Sequence, residues 1–269
     1  MPALTVLITG GTSGIGRACA LAFGRAGYQV AVTGRDEARL ADTARALSAA
    51  GIAHLAVRAD VGDEAAAERA VRETVARFGG LHVLLNNAGI SMRTRFQDAD
   101  LEVIKQLMQT NFFGAVFTTK FALPHLLASK GSIVGISSIA GYRGLPGRTG
   151  YSASKFALNG FLEALRTELL DQGVHVLTAA PGFTASNIRR VALAADGTAQ
   201  GESPRDEGAM MSSDAVAEEI LRAVRQRRRT LVLTAQGKFV VFMNKWLPGL
   251  MDRLVLRSFQ REEEGVAVG

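Results

Sequence analysis

Leu4-Thr5-Val6-Leu7-Ile8-Thr9-Gly10-Gly11-Thr12-Ser13-Gly14-Ile15-Gly16 opens the chain with a short apolar run that feeds directly into a glycine-rich turn. Residues 4–8 read as a strand buried on both faces, because the run lacks the polar alternation of a half-exposed strand. The turn leads into a helix expected over residues 15–26. Glycines at this point let backbone amides approach a phosphate group at the helix N-terminus, and a large side chain at Gly10, Gly14 or Gly16 would block the approach or strain the turn. The spacing is Gly-x3-Gly-x-Gly rather than Gly-x-Gly-x-x-Gly, so its position after the first strand carries the reading. Gly10, Thr12, Ser13, Gly14, Ile15 and Gly16 are the candidate phosphate-binding residues.

Outward from this turn the chain alternates short apolar runs with helical stretches. Further strands are expected at residues 29–33, 54–58, 83–86, 132–137, 174–179 and 230–234. Helices are expected at 36–50, 63–78, 101–129 (long enough to bend), 151–172 and 214–225. That alternation predicts right-handed βαβ units: an α/β fold with a doubly wound, mostly parallel sheet and helices on both faces. No repeat or linker divides the sequence, so residues 1–269 are expected to form one domain. The polar, Gly- and Pro-bearing stretch 190–213 is expected to be a substrate loop or lid, and 236–269 a C-terminal amphipathic extension.

Composition narrows the function classes. Of 269 residues 48% are hydrophobic, enough for a substantial core, yet no apolar run is long enough to span a bilayer. The first residues carry no basic lead-in to an apolar segment, so no signal peptide is expected. Cys19 is the one cysteine, which rules out an internal disulfide and suits a reducing compartment. A cytoplasmic location, with possible membrane association, is therefore expected. The four histidines have no metal-ligand spacing, and no metal site is expected. A formal net charge of +6, concentrated late in the chain, raises an anionic partner. No nucleic-acid-binding motif accompanies it, so no specific nucleic acid is expected.

Two further patterns carry chemistry. Tyr151 and Lys155 are spaced i, i+4, which sets a phenol beside an ammonium on one helix face. A nearby cation favours the phenolate and lowers its pKa, making a general acid/base usable near neutral pH. Ser138, thirteen residues before Tyr151, is placed to hold a carbonyl or alcohol oxygen against that phenol. The second strand ends Thr33-Gly34-Arg35, with no carboxylate before Asp36. An acid there would bind a ribose 2′-hydroxyl, whereas the planar fork of Arg35 matches a 2′-phosphate, so NADP(H) is expected over NAD(H). The alternative at this point is that Arg35 caps a loop and Asp36 serves as the next helix's N-cap.

Together these residues resemble the short-chain dehydrogenase/reductase family over about residues 4–190. The turn Thr9–Gly16 is similar to that family's cofactor loop, Asp60-Val61 to its adenine-contacting pair, and Asn86-Asn87-Ala88-Gly89 to its cofactor-lining turn. Asn111 matches the catalytic-helix asparagine, Ser138 the active-site serine, and Tyr151 and Lys155 the Tyr-x-x-x-Lys pair. Pro181-Gly182 matches the turn after the sixth strand. Thr184 belongs to the same cofactor-facing stretch, and Ser186 stands where the family often has threonine. The resemblance implies a Rossmann-like fold and hydride transfer between a nicotinamide and a carbonyl or secondary alcohol. It implies Tyr151 as proton donor or acceptor, Lys155 as the residue that lowers the Tyr151 pKa and holds the ribose, Ser138 as the donor to the reacting oxygen, and Asn111 as the holder of a water behind Lys155. It also implies a homodimer or homotetramer.

The C-terminal segment departs from this frame. Phe239, Phe242, Met243, Trp246, Leu247, Leu250 and Leu254 recur at helical spacing among Lys238, Lys245, Arg253 and Arg257, with Pro248-Gly249 expected to split the helix. Such a segment can cover the substrate pocket, pack on a partner subunit, or lie in a membrane interface as a peripheral contact. Substrate selection is expected from residues 90–95, 145–149 and 183–213, with a hydrophobic ketone or alcohol favoured. A non-catalytic dinucleotide-binding protein is the competing function class. Retention of Ser138, Tyr151 and Lys155 speaks against it.

Overall fold

The computed structural model describes residues 3–182, 184, 188–189, 191–201 and 210–263. Seven strands, β1 (Thr5–Ile8), β2 (Gln29–Gly34), β3 (His54–Arg58), β4 (Val83–Asn86), β5 (Ser132–Ile136), β6 (His175–Ala180) and β7 (Thr230–Val232), lie in the order β3-β2-β1-β4-β5-β6-β7. All neighbouring pairs are parallel. Alternate side chains of a strand point to opposite faces, and here both faces are covered. Val6 and Ile8 of β1 join Phe23 of α1 (Gly14–Arg25) and Ile220 of α7 (Ser213–Arg225) in one core. Leu7, between them, joins Leu84, Leu126 and Leu162 in the other. That second core is built by α3 (Glu64–Phe78), α5 (Gly114–Ser129) and α6 (Thr149–Glu168). Cys19 is buried in the first core, where desolvation and Glu218 push its thiol pKa up, so it is packing rather than chemistry.

Sheet order reverses between β1 and β4, and a ligand crevice is expected where such strands end. Helix α2 (Glu37–Ala49) and α3 begin on side-chain caps: Asp36 accepts from the Arg39 amide at 3.1 Å and Asp63 from the Ala66 amide at 3.0 Å.

Three elements differ from the sequence reading by more than one residue. The expected 101–129 helix is α4 (Leu101–Met108), a π turn at Gln109–Phe113, then α5. The break centres on buried Asn111, and π turns concentrate at functional positions. The last strand stops at Val232 instead of 234. Thr234 has φ +63° and instead caps α8 (Ala235–Trp246), accepting from the Gly237 amide at 3.1 Å. Residues 170–172 of the expected 151–172 helix form a 3₁₀ turn.

Pro248 starts a separate helix, α9 (Pro248–Glu263), so the chain does split there. Much of the basic 222–229 stretch is tied to its own fold. Arg222 ion-pairs with Glu219 at 2.7 Å, and Arg227 donates to the carbonyls of Lys130 at 3.3 Å and Gly173 at 2.5 Å. Within the expected 190–213 lid, residues 191–201 pack down on the 91–93 segment. The Leu193 amide donates to the Ser91 carbonyl at 2.8 Å and the Arg93 amide to the Leu193 carbonyl at 3.0 Å. Residues 202–209 lie outside the described residues.

Candidate active site

A cleft of about 670 Å³ runs along the C-terminal ends of the strands, from the glycine turn to α8 and α9. At one end the turn is locked to the segment after β4. Thr9 Oγ1 accepts from the amides of Asn87 at 3.0 Å and Ala88 at 3.1 Å, and Asn87 Nδ2 donates to the carbonyls of Thr9 at 2.9 Å and Gly10 at 3.0 Å. Gly10 has φ +64°, and a Cβ on it would meet Ala88 Cα at 2.8 Å. A Cβ on Gly16 would stand 2.3 Å from the Gly10 carbonyl oxygen and 2.4 Å from Asn87 Nδ2. Gly16 therefore serves turn-to-turn packing and sits behind the lining. Gly10, Thr12, Ser13, Gly14, Ile15, Asn87, Ala88 and Gly89 line the cleft itself. Ser13, the α1 N-cap, makes no side-chain cap bond, and no acid occupies the first turn. An uncapped helix start facing a cleft suits an anion.

Beyond the β2 end, Arg35 Nη1 stands 3.6 Å from Asp60 Oδ2, both half exposed, with Val61 beside them in the lining. Asp36 is the α2 cap, as the competing sequence reading had it, while Arg35 remains at the cleft. Arg39, one turn into α2, also lines it and was missed, since a helical arginine carries no distinguishing sequence signal. Thr33 Oγ1 and Ser137 Oγ, both lining the cleft, are buried without a hydrogen-bond partner among the described residues. Buried hydroxyls left open toward a cavity are positions for a ligand's polar groups. Glycines, an uncapped helix start, a cationic rim and open hydroxyls thus fit a dinucleotide.

The other end brings Ser138, Tyr151 and Lys155 together. Ser138 is near enough to the Tyr151 phenol to lower its pKa, and the Ser138 Oγ accepts from the Ala140 amide at 3.2 Å. Lys155 is buried; its Nζ donates to the Ile136 carbonyl at 2.9 Å and lies 5.7 Å from the Tyr151 ring centroid. Burial lowers the Lys155 pKa to about 8. The Tyr151 phenol is not depressed, as the i, i+4 spacing had suggested, but raised. Desolvation outweighs the nearby Ser138 hydroxyl and the cations Arg148 and Arg189, which pull it down. Both arginines line the cleft. Arg189, on the segment after β6, was invisible to periodicity.

Asn111 does not line the cleft. Its Oδ1 accepts from the Ile90 amide at 2.8 Å, and its Nδ2 donates to the Ile90 carbonyl at 2.9 Å and to Ser154 Oγ at 2.9 Å. The side chain braces the loop after β4 against α6, and the second lone pair of its Oδ1 leaves the water-holding role assigned to it open. Asn111→Ala strands buried backbone groups and is expected to cost about 3 kcal/mol. Chemical denaturation checks this, and an unchanged midpoint would show the bracing to be idle. Pro181, Gly182 and Thr184 line the cleft near the β6 end, while Ser186 lies outside the described residues.

Helices α8 and α9 complete the cleft. Met251, Val255 and Phe259 line it, and Phe259 packs where a Cβ on Gly147 would be, 2.5 Å from its ring. Arg143 holds this pair through Asp252 and through Asn244 Oδ1 at 2.9 Å, and Arg95 grips Glu263 with two bonds of 3.0 and 2.5 Å. These links join residues more than a hundred positions apart, so no local pattern announces them.

A family model described as short chain dehydrogenase matches residues 4–196. Mouse dehydrogenase/reductase SDR family member 7B is 34% identical over 265 residues, covering 96% of this chain and 82% of that protein. The Arabidopsis thaliana 11-beta-hydroxysteroid dehydrogenase-like 4A is 35% identical over 260 residues, covering 95% and 83%. Among solved structures, a short chain dehydrogenase/reductase from Burkholderia phymatum in complex with NAD has a TM-score of 0.83 at 23% identity, over 93% of this chain and 95% of that one. The alcohol dehydrogenase of Thermococcus sibiricus complexed with 5-hydroxy-NADP has a TM-score of 0.75 at 24% identity, over 86% and 95%. With the seven-stranded parallel sheet and the Ser138–Tyr151–Lys155 arrangement beside a dinucleotide-sized cleft, these likenesses place the chain: it belongs to the short-chain dehydrogenase/reductase family of oxidoreductases.

Proposed function

We propose that this protein is an NADP(H)-dependent oxidoreductase acting on a carbonyl or secondary alcohol of a hydrophobic substrate. The observation that carries the reading is the Tyr151 phenol, buried at the end of the cleft with Ser138 and Lys155 beside it. A bound nicotinamide supplies or accepts the hydride. Gly10 to Ile15 would hold its pyrophosphate, Asp60 and Val61 the adenine, and Lys155 the ribose. Tyr151 Oη gives its proton to the carbonyl oxygen in reduction and takes one back in oxidation. Ser138 Oγ donates to the same oxygen and stabilises the charge that develops there. Lys155, anchored on the Ile136 carbonyl, keeps the cation beside the phenol. Leu145, Leu193, Met251 and Phe259 give the substrate wall its apolar character. Apolar residues Phe113 and Phe156, 40% and 46% exposed, support a homo-oligomer.

The NADP preference rests on Arg35 at the cleft rim and Arg39 near it. A 2′-phosphate competes with Asp60 for the Arg35 fork, and a charge-assisted pair of that kind contributes about 1.5–3 kcal/mol. Arg35→Asp is therefore expected to weaken NADPH binding by roughly 10- to 100-fold while leaving NADH binding nearly unchanged. Calorimetric titration of both cofactors checks it; equal losses for both, or none for NADPH, would remove the assignment. The activity itself is tested by following nicotinamide absorbance with a panel of apolar ketones and alcohols.

A further inference from the structure

We infer that the outer face of α8 and α9 is a docking surface for an anionic phospholipid bilayer, set at the mouth of the cleft. The two helices turn one set of residues to the cleft and another to solvent, with Phe239 and Leu254 at the border between them. Inward, Met251, Val255 and Phe259 line the cleft. Outward, Phe242 is 62% exposed, Trp246 65%, Leu247 48% and Leu250 46%. Spacings of three and four put Lys238, Phe242, Lys245 and Trp246 on one side of α8, and Leu250, Arg253 and Arg257 on one side of α9.

An aqueous surface gains nothing from exposing this many large apolar groups together. Aromatic and leucine side chains interleaved with lysine and arginine match the boundary between acyl chains and anionic headgroups, where cations reach outward while their stems stay apolar. Among the described side chains of the two helices, the acids are engaged elsewhere: Asp252 pairs with Arg143 and Glu263 with Arg95. Lys245 lies 5.9 Å from the Trp246 ring centroid, a cation and an amphipathic ring at one level. A second copy of the chain is the weaker fit, because a symmetric contact through this face would oppose Lys238, Lys245, Arg253 and Arg257 with their own duplicates. No helix among the described residues is long and apolar enough to cross a membrane, so the contact is peripheral. Delivery of an apolar substrate from the bilayer into the cleft would follow, and that consequence alone rests on the function proposed above.

Trp246 is the only tryptophan, so its emission reports this face directly. The full chain is titrated with vesicles of phosphatidylcholine alone and of phosphatidylcholine mixed with phosphatidylglycerol, and pelleting is measured in parallel. The expected result is a blue shift and co-sedimentation with the anionic vesicles, reversed by salt. Lys238→Gln with Lys245→Gln should weaken binding roughly five-fold per cation, the equivalent of about 1 kcal/mol each. Phe242→Ser with Leu250→Ser should abolish it while the thermal melt and dinucleotide binding stay as in the parent. Unchanged Trp246 emission with anionic vesicles would overturn the inference. So would a blue shift that appears without lipid as concentration rises together with a doubled mass, which would assign the face to a second copy. Neither readout depends on turnover, so failure here is separable from failure of the dehydrogenase reading.

Discussion

Tyr151→Phe is expected to lower kcat for carbonyl reduction by about 10²- to 10⁴-fold, the contribution typical of a positioned proton donor, while NADPH affinity stays nearly unchanged. The substitution removes one oxygen and keeps the ring that packs with Ile90, Met92 and Leu107, so the fold has no reason to respond. The pH profile gives the loss its sign. Reduction needs the protonated phenol, and burial raises its pKa, so the rate should hold through neutral pH and fall as the phenol ionises in the alkaline range. Oxidation needs the phenolate, so its rate should climb over that same range. Steady-state rates in both directions across pH check both statements. Near-parental turnover in the variant would end the assignment of Tyr151 as the proton donor.

Lys155→Met is expected to separate activity from stability. The ammonium is buried and held by a single described protein bond, to the Ile136 carbonyl. Its folded pKa of about 8 lies below the ordinary 10.5, so the fold disfavours the cation. The unfolded chain binds more protons between those values, and this group's contribution to stability therefore rises with pH from about 8 to 10.5. Below that window the full penalty applies, roughly 3 kcal/mol from the displaced pKa. Methionine removes it at the cost of one unmet carbonyl, about 1–2 kcal/mol. The variant should melt a few degrees higher at pH 7, with its advantage shrinking toward pH 10. Cofactor binding and turnover should each drop about 10- to 100-fold, because the charge-assisted bond to the ribose is gone. Thermal melts at several pH values and an NADPH titration read the two effects apart. A destabilised variant with intact binding would contradict both halves.

How much of this could be read before folding depends on the range of the interaction. The parallel sheet was legible because runs such as 4–8 and 83–86 are short and apolar where helices cover both faces. The glycine turn was legible because Gly10 requires a positive φ and Gly16 admits no Cβ, excluded there by the Gly10 carbonyl and Asn87. The π turn at Asn111 was not legible, since one extra residue in a turn leaves the apolar period almost intact. Nor was the raised pKa of Tyr151. A spacing of four reveals a neighbouring cation, but desolvation belongs to the assembled site, and there it wins. The segment after Gln236 showed its two-sidedness in sequence. Which side faces the cleft was decided by Arg95 and Arg143, whose partners lie 168 and 109 residues away.

The measurement that bears most directly on the central claim is product formation from an apolar ketone with NADPH, comparing the parent protein with Tyr151→Phe at equal cofactor saturation. The parent should consume NADPH and form the corresponding alcohol in equal amounts, while the variant binds NADPH and forms almost none. Alcohol produced at the same rate by both proteins, or failure of the parent to bind either nicotinamide cofactor, would contradict it.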